Sequence, residues 1–437
     1  MSQQKPTIGI LGGGALGLAA AHELTKAGYS VTVIEKSTEK GGLAGCIKIG
    51  DSYIERFYHH FFLSDHAMLD LVKELNLEKE LLWLESKMSF YSGGKVYDFG
   101  TPISILQFSA LSFINRLRFA FSSLYLSKLN DKPELHTTPA VDWIKKYGGE
   151  QVLKIIWEPL LIHKFGKHYK ELPISWLWKR FQVRATSRDK SGTKEKLGYF
   201  KNSIAVFIEA LTKKIEQQGG NFIYGVSVKK IQQQEQKIKV ETENETYYFD
   251  KVIATFAPEI FTRITEGLSN EYLQKSSELK YTGVVCPIFI LNRQFSEYYW
   301  VNIGDANLPF NGLIEQTNFL PKELYGNKHI LYISNYCYTD HPNYNMPLEE
   351  LKQVYIKGLQ KVNPQFEESW IEEVIWSKAP YAQPVVTLNH QQKIPAAETN
   401  IKGLFNVNMT HIYPEDRGVN YSLRLGKEIA RKIIETY

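Results

Sequence analysis

Three cysteines in 437 residues leave little for cross-linking. Cys46, Cys286 and Cys337 lie far apart with no CxxC pair, so neither a disulfide framework nor a zinc site is expected. A reducing, cytoplasmic setting fits such usage. No run approaches the roughly 18 apolar residues needed to span a bilayer. The first six residues are mixed and lead straight into a strand-like stretch, unlike a secretory leader. Repeats and low-complexity tracts are absent, and a net charge of +5 without a basic run argues against a nucleic-acid partner. The order of residues offers no Ser-His-Asp set, no metal-ligand spacing and no P-loop.

What remains is a globular composition, 43% hydrophobic and 23% charged, long enough for two domains. Aromatics abound, with 26 Tyr, 23 Phe and 8 Trp, which suits either a large core or the walls around a planar ligand. Acidic residues are missing from one stretch, 99–130, where Arg116, Arg118 and Lys128 sit among "ISILQFSALSFINRLRFAFSSLYLSKL". The favoured reading is a helix pair of the substrate domain with its apolar face in the core. The alternative is peripheral contact with an anionic membrane face.

The most informative segment is "GILGGGALGLAAAH", residues 9–22. A short apolar strand runs into Gly12, Gly14 and Gly17 in GxGxxG spacing, and a helix pattern follows as far as Gly28. Gly12 permits a tight turn, Gly14 a close backbone approach to pyrophosphate, and Gly17 helix–strand packing. The amides of the helix start, including Ala15 and Leu16, face a diphosphate. "YSVTVIE" reads as a second strand ending at Glu35, where a carboxylate meets a ribose and opposes a 2′-phosphate, with Lys36 beside it.

A second glycine pair, Gly41 and Gly42, follows in "KSTEKGGLAG". A nicotinamide site does not require it. This segment resembles the extended fingerprint of the flavoprotein superfamily that includes amine oxidases, protoporphyrinogen oxidases and phytoene desaturases, with UDP-galactopyranose mutases more distant. The resemblance implies FAD, with Gly41, Gly42, Leu43 and Ala44 passing its pyrophosphate and ribityl, and the lack of a cysteine or histidine attachment motif near the C-terminal segment leads us to expect it noncovalently held. It implies adenine contacts near Val228 in "GVSVKKI" and dinucleotide contacts at Thr255 and Ala257 in "YYFDKVIATFAP".

The C-terminal segment 403–434 takes the place of the family's last FAD-binding strand and helix. Val407, Asn408 and Met409 replace the usual AGD there, and Tyr421 and Ser422 replace a small GA. Asn408, Asp416, Arg417, Gly418 and Tyr421 are the expected substitutes for those cofactor contacts.

The implied fold is α/β, a Rossmann-like FAD domain of parallel sheet and helices interleaved with an α+β substrate domain. FAD-domain parts are expected at 1–90, 197–275 and 379–437. The substrate domain would take 91–196, mainly helical, and 276–378, mainly sheet. Gly198, Tyr199 and Asn202 would shape the re-entry into the FAD domain. Candidate catalytic residues are His59 and His60, expected on opposite faces of a strand, and Tyr381, a ring neighbour in "APYAQPVV". Glu55 and Arg56 are an expected ion pair, and Tyr332, Tyr336 and Tyr338 expected wall residues. Lys179, Arg180, Arg184 and Arg188 read as a solvated face or as a pocket for an anionic group.

Three activities remain open at this level. The first is an FAD-dependent oxidoreductase taking hydride from a C–N or C–C bond of an anionic or lipid-like small molecule. The second is a non-redox mutase acting on a nucleotide sugar. The third is an FAD-binding protein without turnover. Nothing in the pattern bears on oligomeric state.

Overall fold

The computed structural model describes residues 5–187 and 195–436. At its centre lies a five-stranded parallel sheet, in the order Leu404–Asn406, Lys251–Ala254, Thr7–Leu11, Ser30–Glu35 and Asn221–Tyr224. The strands are short and apolar because both faces are covered, one by helices Ala15–Lys26, Ala205–Gln217 and Val419–Thr436 and the other by a three-stranded antiparallel sheet of Val228–Gln234, Lys237–Thr242 and Thr246–Phe249. Helix Ala15–Lys26 is buried along nearly its whole length, which its run of alanines permits. Helix Val419–Thr436 crosses it closely: a Cβ on Gly426 would stand 2.3 Å from the Leu16 carbonyl. The last segment of the chain therefore clamps the first helix.

A seven-stranded sheet forms the second layer. Its order is Ile371–Pro384, Tyr281–Leu291, His329–Cys337, Gly312–Glu315, Trp300–Ile303, Met88–Ser92 and Lys95–Asp98, antiparallel except where Trp300–Ile303 meets Met88–Ser92. The expected boundaries at 90/91 and 378/379 thus fall inside strands Met88–Ser92 and Ile371–Pro384. Strand Tyr281–Leu291 is buried on both sides. Val285, Phe289 and Leu291 face a core shared with helix Leu348–Val362, while Val284, Cys286, Ile288 and Ile290 face Ile54, Tyr199 and Tyr332. Alternating side chains thereby join two cores across one strand.

Helices Phe113–Lys128, Ala140–Tyr147, Glu158–Phe165 and Ile174–Thr186 close one end around Phe119, Leu126, Trp143, Ile156, Leu161 and Trp176. No helix among the described residues is long and apolar enough to cross a membrane. The three cysteines are free.

Strand Ser52–Glu55 corrects one expectation. Arg56 does not pair with Glu55; it binds Glu39, its Nε lying 3.0 Å from Glu39 Oε2. Glu55 turns inward, where its carboxylate accepts from the Tyr199 hydroxyl (2.5 Å) and the Ile204 amide (2.8 Å). Arg56 follows the last strand residue and reaches outward to Glu39 while Glu55 is buried, which keeps the two side chains apart. Burial raises the Glu55 carboxyl to about 7. Its proton is therefore retained on folding between the ordinary carboxylate range and about 7, and stability falls as pH rises through that window. Glu55→Gln is expected to flatten this fall, measured as denaturant midpoints on either side of the window.

Candidate functional site

Two connected cavities lie where the sheets meet. The larger, ≈ 860 Å³, runs along the C-terminal ends of the parallel strands, the usual ligand position in such sheets. Gly12, Gly14, Ala15, Leu16, Glu35, Lys36, Gly41, Gly42, Leu43, Ala44, Val228, Thr255, Ala257, Tyr381, Asn408, Arg417 and Gly418 all line it. Gly17 lies behind this wall: its Cβ would come within 2.0 Å of the Gly12 carbonyl oxygen. Gly12 has φ +113° and leaves Thr255 Oγ1 no clearance, 2.2 Å from a Cβ.

The donor set fits a dinucleotide. Gly14 caps helix Ala15–Lys26 with extended backbone and no side-chain cap, so the first-turn amides remain open to an anion. A Cβ on Gly14 would meet nothing within 4 Å, so the free space there faces the cleft. Glu35 accepts from the amides of Gly13 (2.7 Å) and Ser37 (2.8 Å), which fixes a carboxylate at the end of its strand for ribose hydroxyls. Gly41 bridges to Gly14, and Gly42, at φ +60°, would put a Cβ 3.2 Å from Gly14 Cα. The second glycine pair is therefore packed on the first. Asn408 borders the cleft, its Oδ1 accepting from the Thr410 amide (3.0 Å) and its Nδ2 donating to Asn406 (2.8 Å). Ser422, a replacement of the family's small pair, also lines the cleft.

The smaller cavity, ≈ 260 Å³, continues from this cleft and shares Leu43, Phe57, His59, Arg417, Gly418 and Val419 with it. Trp157, Trp176, Trp300, Phe62 and Tyr336 supply aromatic walls. Lys164, Lys179, Arg180, Arg184 and Arg417 line it against only two carboxylates, Asp65 and Asp416. Lys179 and Arg184 also each lie 3.9 Å from a glutamate outside the lining, Glu415 and Glu195. Arg188 lies outside the described residues.

At the centre of this charge, Asp416 Oδ2 binds Lys164 Nζ at 2.6 Å and also Arg180, while Trp176 Nε1 donates to Oδ1 at 3.3 Å. Asp416 thus belongs to the inner chamber and not to the dinucleotide cleft. Its lone pairs are engaged there by cations from two helices. Despite burial, those cations hold its carboxyl well below the usual range. Burial, aided by the guanidiniums of Arg180 and Arg417, pushes the Lys164 ammonium down to about 7 against the pull of Asp416. Tyr421 likewise lines only the chamber. Arg417 lies over the Tyr336 ring, binds its hydroxyl, and donates from Nε to Gln383 at 3.1 Å.

His59 and His60 depart from the strand geometry expected of them. The strand ends at Glu55 and irregular backbone follows, so both rings line the same chamber, and His59 alone also borders the larger cleft. Burial lowers both, His59 to about 4 and His60 to about 3, with Arg417 and Arg184 contributing. Both are neutral near pH 7. Each buried Nδ1 has no protein partner. Among the described residues no cluster could hold a metal.

Tyr381 packs edge-on against Tyr281 at 5.7 Å. Of the tyrosines expected on the walls, Tyr336 is there. Tyr332 is buried, donating to the Glu55 carbonyl, and Tyr338 donates to that of Phe165. Lys164 carried no local signal: it looks like any helical lysine in "LLIHKFG", and only the fold brings Asp416 to it.

A glycine-lined cleft opening onto an aromatic chamber is the arrangement of an enzyme that works with a bound dinucleotide. The chain belongs to the family of flavin-containing amine oxidoreductases, whose family model matches residues 17–433. It is an FAD-dependent oxidoreductase. It is 29% identical over 181 residues to the probable zeta-carotene desaturase of Synechococcus elongatus, a match covering 35% of this chain and 37% of that protein. It is 22% identical over 406 residues to the flavin-dependent L-tryptophan oxidase RebO of Lentzea aerocolonigenes, covering 84% and 83%. The crystal structure of reduced UDP-galactopyranose mutase shares the fold with a TM-score of 0.78 at 15% identity, covering 99% of this chain and 96% of that one.

Proposed function

We propose that the protein oxidises a small organic substrate bearing an anionic group, a hydride leaving the C–H of a C–N or C–C unit and a proton leaving its neighbour as the unit becomes C=N or C=C. Bound FAD supplies the two-electron acceptor. The observation that carries this reading is the chamber itself, small, aromatic and lined by five cations to two carboxylates, meeting the cofactor cleft at His59 and Arg417. Its ≈ 260 Å³ suits an amino-acid-sized molecule better than a long polyprenoid.

Lys164, Arg180 and Arg417 would orient the anionic group, and Trp176 and Trp300 would exclude water from the reacting carbon. His59, held neutral by burial and Arg417, would keep a positive charge away from the point where chamber and cleft meet, which suits a substrate amine in its uncharged form. RebO, whose name specifies an amino-acid substrate, shares this combination of an amine and a carboxylate in what it acts on.

The test is anaerobic bleaching of the visible flavin absorbance by matched compounds. Amino carboxylates are expected to bleach it, and the corresponding neutral amines to do so at least about tenfold more weakly, the worth of one charge-assisted contact. Equal rates with neutral amines would overturn the anionic reading. Failure of every donor, together with isomerisation of a nucleotide sugar by pre-reduced enzyme, would favour the mutase reading instead.

A further inference from the structure

Helix Phe113–Lys128 is apolar on both sides, and only one side is covered. Phe119, Ser122 and Leu126 are buried, with Phe119 against Trp157 of the chamber wall at 6.3 Å. Phe113, Ile114, Phe121, Leu124 and Tyr125 share the opposite face by their helical spacing and are exposed, Ile114 and Phe121 at 69% each. The short helix Pro102–Gln107 adds Ile103 and Leu106 to the same surface. Arg116 holds the two helices together, donating to the Leu106 carbonyl at 2.7 Å and the Leu111 carbonyl at 2.9 Å. Of fourteen large apolar side chains exposed among the described residues, half fall in this one stretch. Scattered exposed residues need no explanation, but a contiguous patch on two adjoining helices marks an interaction surface.

Charge decides the occupant. No acidic residue occurs from 99 to 130, whereas Arg116 and Arg118 flank the apolar face and Lys128 ends it. Beside it, Tyr147 packs on Tyr125 at 5.6 Å, and the neighbouring Glu150 is neutralised by Lys145 (2.8 Å) and Lys154 (3.4 Å). A second copy related by a twofold axis would bring like cations together with no carboxylate of the patch to pair them. An anionic lipid surface pairs them all, and it accepts the phenylalanines and leucine into its acyl boundary with the tyrosine at headgroup level.

We propose that this face docks the protein onto anionic membranes, with helix Phe113–Lys128 lying in the plane of the interface. The inference stands apart from the reading of the chamber, since it rests on the opposite side of that helix.

Flotation with phosphatidylglycerol–phosphatidylcholine vesicles tests it, with pure phosphatidylcholine as control. The holoenzyme is expected to float with the anionic vesicles, to bind the neutral ones weakly, and to be released by high salt. The triple substitution Ile114→Ser, Phe121→Ser and Leu124→Ser should reduce binding at least about tenfold with the flavin spectrum and far-ultraviolet dichroism unchanged. The pair Arg118→Glu and Lys128→Glu, which leaves the apolar face intact, should lower binding to anionic vesicles alone. Wild-type protein that stays with the soluble fraction would overturn the proposal, as would undiminished binding by both variants. A dimer in gel filtration that the triple variant turns into monomer would overturn it too, in favour of a second copy.

Discussion

Gly14→Ala is expected to give a folded protein that no longer retains FAD, while Gly17→Ala is expected to damage the fold itself. Both glycines belong to one motif, yet their surroundings differ. Gly14 has φ −75° and ψ 177°, open to any residue, and its Cβ would meet no protein atom within 4 Å. A methyl group there occupies only the space in front of the helix amides, where the pyrophosphate must approach. At Gly17 the methyl would lie 2.0 Å from the Gly12 carbonyl, a backbone atom that cannot swing aside. The helix would have to part from strand Thr7–Leu11, at a cost of about 3 kcal/mol or more by overpacking. Thermal melts of the apoproteins with flavin absorbance after gel filtration separate the two. Gly14→Ala should melt with apo wild type and elute colourless, and Gly17→Ala should melt well below it. A yellow Gly14→Ala protein would remove the cofactor from the helix start. A Gly17→Ala melt unchanged from wild type would show that helix and strand can separate freely.

This contrast reflects what a sequence can carry. The glycine turn, Glu35 and the second glycine pair were legible because the contacts that join them to one another are local, such as the bridge from Gly14 to Gly41 and the Gly13 amide on Glu35. The layered α/β architecture was legible through the resemblance carried by the two glycine motifs and the segments that follow them. Of the chamber, Lys179, Arg180, Arg184 and Tyr336 were among the candidates read, but its charge centre was not. Lys164 and Asp416 are 252 residues apart, and Arg180 and Asp416 236, so their pairing exists only once two helices and the C-terminal loop converge. The histidine pair was placed on a strand because strand geometry was extended past Glu55, where irregular backbone lets both residues line one chamber. Stretch 99–130 was read as either core or membrane contact, whereas its long helix buries one apolar side and exposes the other. One-dimensional patterning does not tell a covered apolar face from an uncovered one.

The second large effect is expected at the charge centre. Asp416→Asn removes the carboxylate that holds Lys164 and Arg180, leaving two cations in the chamber wall with a neutral amide between them. Lys164 and Asp416 are only 15% and 16% exposed, so water screens the loss poorly, and a destabilisation of about 3 kcal/mol is expected. Without the pull of Asp416 the Lys164 ammonium should titrate still lower than about 7. The sign for stability follows from the folded lysine losing its proton before the unfolded one. Between about 7 and the ordinary lysine range the unfolded chain binds the extra proton, so wild-type stability rises with pH there. Lys164→Met should abolish that rise. Binding gives the opposite trend, because Lys164 attracts an anionic substrate only while charged. The KM of the wild type should climb as pH passes about 7, the climb should begin at lower pH in Asp416→Asn, and Lys164→Met should show a high KM with no such step. A KM step at an unchanged pH in both variants would assign it to another group. Parallel melting and steady-state profiles therefore separate the structural task of Asp416 from the substrate-binding task of Lys164, although the two side chains share one hydrogen bond.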